Sequence, residues 1–263
     1  MRRRARRGGG RQVEVTVEAL GAKGDGLAAV DGRPLFLPQT LPGERVLARV
    51  TGERGGGFKG EVVELLVTSA HRVDPPCPFF GPCGGCALQH MADDAYAAWK
   101  QEQLVVALQR KGLAPEALHP LRRVAPGRRR RITWSARRTA RGALIGYYER
   151  ESHQLADIDT CLLVTPALDR LLAPLRALLE RVLAVPEEAR LTALESETGI
   201  DLLIDSRHAL SLDDREALAA FAAANDLARL AWTDGREEPT PLALRRDPIL
   251  TFGGVPVLPP PGG

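Results

Sequence analysis

Val13-Glu14-Val15-Thr16-Val17 alternates valine with polar residues, the two-residue period of a strand that buries one face. Val46, Ala48 and Val50 repeat that pattern, and Gly60 to Val67 is rich in valine and leucine. Turn signals separate these runs: Gly21 to Gly26, Asp31-Gly32, Pro42-Gly43 and Gly55 to Gly57. Short strands closed by glycine turns over residues 12–67 predict a small β-barrel of the OB type. That architecture often binds oligonucleotides.

The remaining chain divides by composition. Residues 1–11 form a basic tail, 68–92 a cysteine-bearing loop, and 93–113 a helix that Asp93 or Asp94 can cap and Gly112 can end. Trp99 and Tyr96 on that helix read as packing residues, and Ala97, Leu104, Val105 and Leu108 share a face. Residues 114–250 mix extended runs with two helices, near 166–184 and 212–224. The first opens at Thr165-Pro166 and should kink at Pro174; the second has Ser211 as its cap. Residues 251–263 read as a linker. The expected fold class is therefore α+β, a barrel followed by a mixed α+β domain.

At 263 residues, 44% hydrophobic and 26% charged, the chain is globular in composition. No apolar run approaches the roughly 18 residues of a membrane span. The Arg-rich start has no apolar segment behind it, so a cytoplasmic location and no membrane partner are expected. In such a compartment cysteines read as metal ligands before disulfides.

The formal charge of +3 conceals a segregation. Residues 1–11 hold six Arg and no acid, and residues 117–148 hold nine Arg and no acid. Concentrated positive runs on an otherwise acidic body suit a polyanion such as RNA. Arg128, Arg129, Arg130 and Arg131, with Arg137 and Arg138, are candidate contacts to phosphate or splayed bases. A solvated charged strand is the alternative. On the barrel, Lys23, Phe58 and Lys59 are candidate RNA contacts, since aromatic stacking beside cations reads single strands. For Phe58 a core position fits equally. The five His show no metal or triad spacing.

All four cysteines fall in one pattern: Cys77-x5-Cys83-x2-Cys86, then Cys161. Three thiolates on a Gly/Pro loop with a distant fourth suit a [4Fe-4S] cluster, whose irons take one thiolate each. Gly84 and Gly85 let the backbone bend tightly between two of them. A structural zinc takes four thiolates too, although its usual signature is two short Cys-x-x-Cys hooks. Unliganded core cysteines are the third reading.

The succession Gly24-Asp-Gly-Leu-Ala28, Phe36-Leu-Pro38, Leu41-Pro-Gly-Glu44, Cys77-x5-Cys83-Gly-Gly-Cys86, Gly146-Tyr-Tyr148 and Ile158-Asp-Thr-Cys161 resembles the bacterial RNA uracil-5-methyltransferases. It is most similar to the branch that methylates 23S ribosomal RNA and carries a TRAM domain and a four-cysteine iron-sulfur cluster. The resemblance implies an S-adenosylmethionine-dependent enzyme that attacks uracil through a cysteine thiolate, with a C-terminal Rossmann-like domain carrying nucleophile, base and cofactor loop. No Gly-x-Gly turn between a strand and a helix is visible in this sequence, and four ligands would use all four thiols.

The expectation is thus an RNA-binding, iron-sulfur-containing front part, truncated before its catalytic domain. It would be a monomer, unable to bind S-adenosylmethionine alone and completed in cis or in trans. A non-catalytic RNA-binding adaptor with a structural cluster or zinc is the second reading. A radical methylthiotransferase is disfavoured, because its cluster hook is Cys-x3-Cys-x2-Cys.

Overall fold

The computed structural model describes residues 10–114 and 118–263. Expectations for residues 1–9 and 115–117 lie outside the described residues. The chain divides into two compact units, residues 1–81 with 86–123 and residues 82–85 with 124–263. Among the described residues no helix is long and apolar enough to cross a membrane.

In the first unit, β1 (Gln12–Thr16), β2 (Ala19–Leu20), β3 (Gly26–Val30), β4 (Arg33–Leu37), β5 (Arg45–Arg54) and β6 (Gly57–Val67) form one sheet in the order β1-β5-β6-β4-β3-β2. The two edges, β1 and β2, are successive stretches of one chain segment, so the sheet closes on itself. The break between them is held by Val17 N–H donating to Glu44 O and Glu18 N–H donating to Leu27 O, each at 2.8 Å. Alternation now has its physical result: Val17, Leu35, Leu37, Val46 and Ala48 fill the barrel. Gly26 is required where the wall crosses Thr40, because a Cβ there would lie 1.9 Å from the Thr40 hydroxyl oxygen.

Helix α1 (Asp93–Gln109) follows, with Asp93 and Asp94 in its first turn, suited to the positive end of the helix dipole. Trp99 is buried with Leu20, Leu41 and Leu88, and Tyr96 packs against that cluster. The expected apolar face is not fully covered: Leu104 is exposed, and Val105 and Leu108 are half-buried.

The second unit is built on a seven-stranded sheet in the order β13-β12-β11-β10-β7-β8-β9. Its strands are β7 (Arg131–Thr139), β8 (Gly142–Tyr148), β9 (Leu155–Asp157), β10 (Glu187–Glu195), β11 (Ile200–Asp205), β12 (Arg229–Thr233) and β13 (Thr240–Leu244). All pairs are antiparallel except β11–β12, whose parallel crossover is supplied by α4 (Leu212–Ala224). Ser211 caps α4 in a reciprocal capping box with Asp214. Trp134, Ile145, Leu175, Leu191, Leu202 and Ile204 are fully buried.

Two local expectations are corrected. The single kinked helix near 166–184 is two helices, α2 (Pro166–Asp169) and α3 (Leu172–Val182). Pro174 sits in the first turn of α3, where its missing N–H has no intrahelical acceptor to lose, so it does not kink the helix. Residues 251–263 are not an extended linker. β14 (Leu250–Phe252) pairs with β15 (Val255–Val257), and the residues after them dock on a buried ion pair. There Arg229 donates to both Asp201 carboxylate oxygens at 2.8 Å. Gly262 N–H donates to Asp201 Oδ2 at 2.8 Å, and Arg229 Nη2 donates to Pro259 O at 2.9 Å. Polar backbone that meets a desolvated charge pair is fixed by it.

Candidate nucleic-acid interface

The barrel carries an open groove of ≈ 760 Å³, lined by Pro38, Gln39, Thr51, Lys59, Glu61 and Arg72 among others. Lys59 is in it because β4 and β6 pair in parallel, setting Lys59 opposite Phe36 and Phe58 opposite Leu35. Leu35 points into the core, and Phe58 packs against that core as well. Lys23 stands exposed on the turn between β2 and β3 and is not among the residues that line the groove.

Two cation–aromatic stacks escaped the sequence reading. The Arg33 guanidinium lies over the Phe58 ring, 4.3 Å from its centroid, and that of Arg54 lies over Phe36 at 4.8 Å. Arg54 is also held by Asp25, buried at 2% exposure, through a 2.9 Å contact. Spacing gave no signal for these pairs; only the β4–β6 pairing and the hairpin turn at Gly55 and Gly56 bring them together.

Below the groove, Glu44 is fully buried and receives Arg72 Nε at 2.5 Å and Arg72 Nη2 at 2.8 Å. Burial pushes the Glu44 carboxyl up. The Arg72 hydrogen bond and the N–H groups of Leu41 and Ser69 outweigh that and hold it below its ordinary 4.5. Arg72 also pairs with Met91 in a short bridge, and Val73 N–H donates to His90 O at 3.0 Å, so this clamp fastens the base of the cysteine loop to the barrel. His90 is buried there with its ring 5.4 Å from that of Phe80. Burial, with the Arg72 charge second, pushes its pKa down from 6.5 to about 4.

In the second unit the arginine run splits by strand geometry. Arg128 and Arg129 are exposed and form no ion pair among the described residues. Arg130 Nε donates to Glu195 O and Arg131 Nε to Gly262 O, each at 3.0 Å. Arg137 pairs with Glu188 across the β7–β10 register, Nε to Oε1 at 2.8 Å. Arg138 donates to Thr139 O. Three of the six, Arg130, Arg131 and Arg137, are therefore engaged in tying separate segments together, which alternation alone did not disclose.

The four thiols are all half-buried. Cys161 N–H donates to Asp169 Oδ1 at 2.7 Å, and Gly84 N–H to Tyr148 O at 3.1 Å; a Cβ on Gly84 would lie 2.2 Å from that same carbonyl oxygen. Among the described residues, no group of three or more His, Cys, Asp or Glu side chains is arranged to hold a metal ion. A small cleft lies beyond the ends of β11 and β12, lined by His208, Arg215, Trp232 and Asp234 among others. Its volume is ≈ 190 Å³.

Comparison with known proteins bears on this geometry. Residues 6–63 match the TRAM domain. Over 254 residues the chain is 37% identical to a protein of Rhizobium meliloti (strain 1021) named as an uncharacterized RNA methyltransferase, a match covering 94% of this chain and 59% of that protein. It is 38% identical over 229 residues to the 23S rRNA (uracil(1939)-C(5))-methyltransferase RlmD of Halomonas elongata, covering 86% of this chain and 47% of that one. The fold is similar to the Pyrococcus abyssi tRNA (uracil-54, C5)-methyltransferase solved with S-adenosyl-L-homocysteine. That likeness has a TM-score of 0.58 at 18% identity, over 85% of this chain and 52% of that one. The chain thus spans about half the length of the relatives it matches.

These matches overturn the fold-class expectation that a C-terminal Rossmann-like methyltransferase domain is absent. The chain aligns over 94% of its length with a longer protein named as an RNA methyltransferase, and over 85% of its length its fold is similar to part of a solved one. Where it ends says nothing about what the protein contains.

Proposed function

We propose that this chain holds RNA within an S-adenosylmethionine-dependent RNA uracil-C5 methyltransferase acting on ribosomal RNA. The observation that carries the proposal is the 254-residue match, at 37% identity, to an RNA methyltransferase. The RlmD relative supports uracil and 23S rRNA as target, and the TRAM match supports RNA as partner. S-adenosylmethionine supplies the methyl group in such enzymes. The part assigned to these residues is binding: Lys59 in the barrel groove, Lys23 on its turn, and Arg128 and Arg129 free to meet phosphate. Arg130, Arg131 and Arg137 contribute charge while holding the sheet and tail, and Arg138 contributes charge beside them.

In the finer reading Cys77, Cys83, Cys86 and Cys161 ligate a [4Fe-4S] cluster. It rests on their spacing and on four half-buried thiols, and no step is routed through it. Anaerobic reconstitution with iron and sulfide tests it: Cys161→Ser should lose iron, and an iron-free wild-type protein rejects it. The adaptor reading is not favoured, because the relatives are themselves named methyltransferases.

The function is tested by incubating the complete protein that contains this chain with a 23S rRNA transcript and methyl-labelled S-adenosylmethionine. Label recovered as 5-methyluridine is expected. Label confined to another nucleoside, or none, rejects the proposal.

A further inference from the structure

We infer that the two arginine-over-phenylalanine stacks of the barrel are platforms for nucleobases of single-stranded RNA, each base stacking on the outer face of a guanidinium. This rests on the RNA reading above and adds residues that it does not use. Arg33 shows why the ligand is a base and not a phosphate. Its Nε donates to Gly56 O at 3.1 Å, and both Nη atoms reach Glu53 Oε1 at 3.2 Å. Guanidinium N–H groups point outward in their own plane, so the edge that would grip a phosphate in a fork is already occupied.

One face of that plane lies on Phe58. Yet the side chain is 39% exposed, which leaves room for a base on the opposite face of a flat cationic plane held in place by these contacts. Such a face stacks on a base through the same attraction that seats it on Phe58. Arg54 repeats the design: its edge reaches the buried Asp25, its face lies on Phe36, and its side chain is 25% exposed. Phe58 was a candidate for direct stacking, but it is covered. It acts as the support that orients Arg33.

The test compares a uridine-rich single-stranded RNA oligonucleotide carrying 2-aminopurine with its abasic counterpart, which has the same ribose-phosphate chain. Wild-type protein should quench the 2-aminopurine on binding. Arg33→Lys and Arg54→Lys keep the charge and lose the plane. Each should bind the base-containing strand about tenfold more weakly, the scale of one lost stacking contact. Each should bind the abasic strand as wild type does, with an unchanged melting curve.

Binding of the base-containing strand without quenching by wild type, an observation that needs no variant, overturns the inference. So does equal loss of both strands, which would mark a phosphate contact, or no loss of either. Failure of wild type to bind either strand overturns the RNA reading itself.

Discussion

His90→Leu should remove a block of acid sensitivity from the first unit. His90 is 1% exposed, and a backbone hydrogen bond at Thr40 only partly offsets the burial of its ring. Its pKa falls from 6.5 in the open chain to about 4 in the folded one. Because the unfolded state takes the proton first, the penalty is absent above about pH 6.5, grows as pH falls, and is complete below about 4. At ~1.36 kcal/mol per pH unit, that interval withholds about 3 kcal/mol of stability.

Leucine fills a similar volume and leaves no unsatisfied nitrogen, so the variant should match or exceed wild type at neutral pH. Urea unfolding followed by fluorescence, with Trp134 and Trp232 replaced by phenylalanine in both proteins so that Trp99 reports alone, gives stability from neutrality down to about pH 4. Wild type should lose about 3 kcal/mol relative to the variant over that range. Parallel curves would refute the reasoning, because they would mean that the folded protein protonates His90 at no cost.

Glu44→Gln should act at lower pH. The Glu44 carboxyl is held below 4.5, so its stabilisation is present above that value and is lost as pH falls through the folded-state pKa. The variant should lose about 1–3 kcal/mol at neutral pH, since Arg72 keeps a neutral acceptor, and should show a flatter acid limb below 4.5 in the same titration. Asp201→Asn leaves Arg229 buried without its charge partner, and about 3–5 kcal/mol should be lost in chemical denaturation. The same substitution should expose residues 258–263 to proteolysis, because Gly262 N–H and Pro259 O are tied to that pair.

How much of this was legible in the sequence depended on whether local period alone determines the outcome. Val13, Val15 and Val17 announce a strand because alternation is a property of the strand itself, and Ser211 announces a helix start because capping is local. A barrel was expected, but how it closes was not legible in the same way. Closure depends on one segment breaking at Val17 and Glu18 to serve both edges. The arginine run illustrates the same limit at the site. Its charge is plain, yet Arg137 finds Glu188 and Arg131 finds Gly262 only through pairing and docking of segments far apart in the chain. Arg33 and Arg54 lie outside any charged run, so nothing in the composition drew attention to them. The tail, rich in proline and glycine, reads as a linker by composition, whereas its fate is set by the buried Asp201–Arg229 pair.

The claim that this chain grips RNA through cations is tested most directly by fluorescence anisotropy of the purified chain with a labelled single-stranded 23S rRNA fragment over a range of salt concentrations. The logarithm of the association constant should fall linearly with the logarithm of salt, by ~0.7 per phosphate neutralised, and the slope should become shallower when Arg128 and Arg129 are both replaced by alanine. An affinity indifferent to salt, or no binding at any concentration, would contradict it.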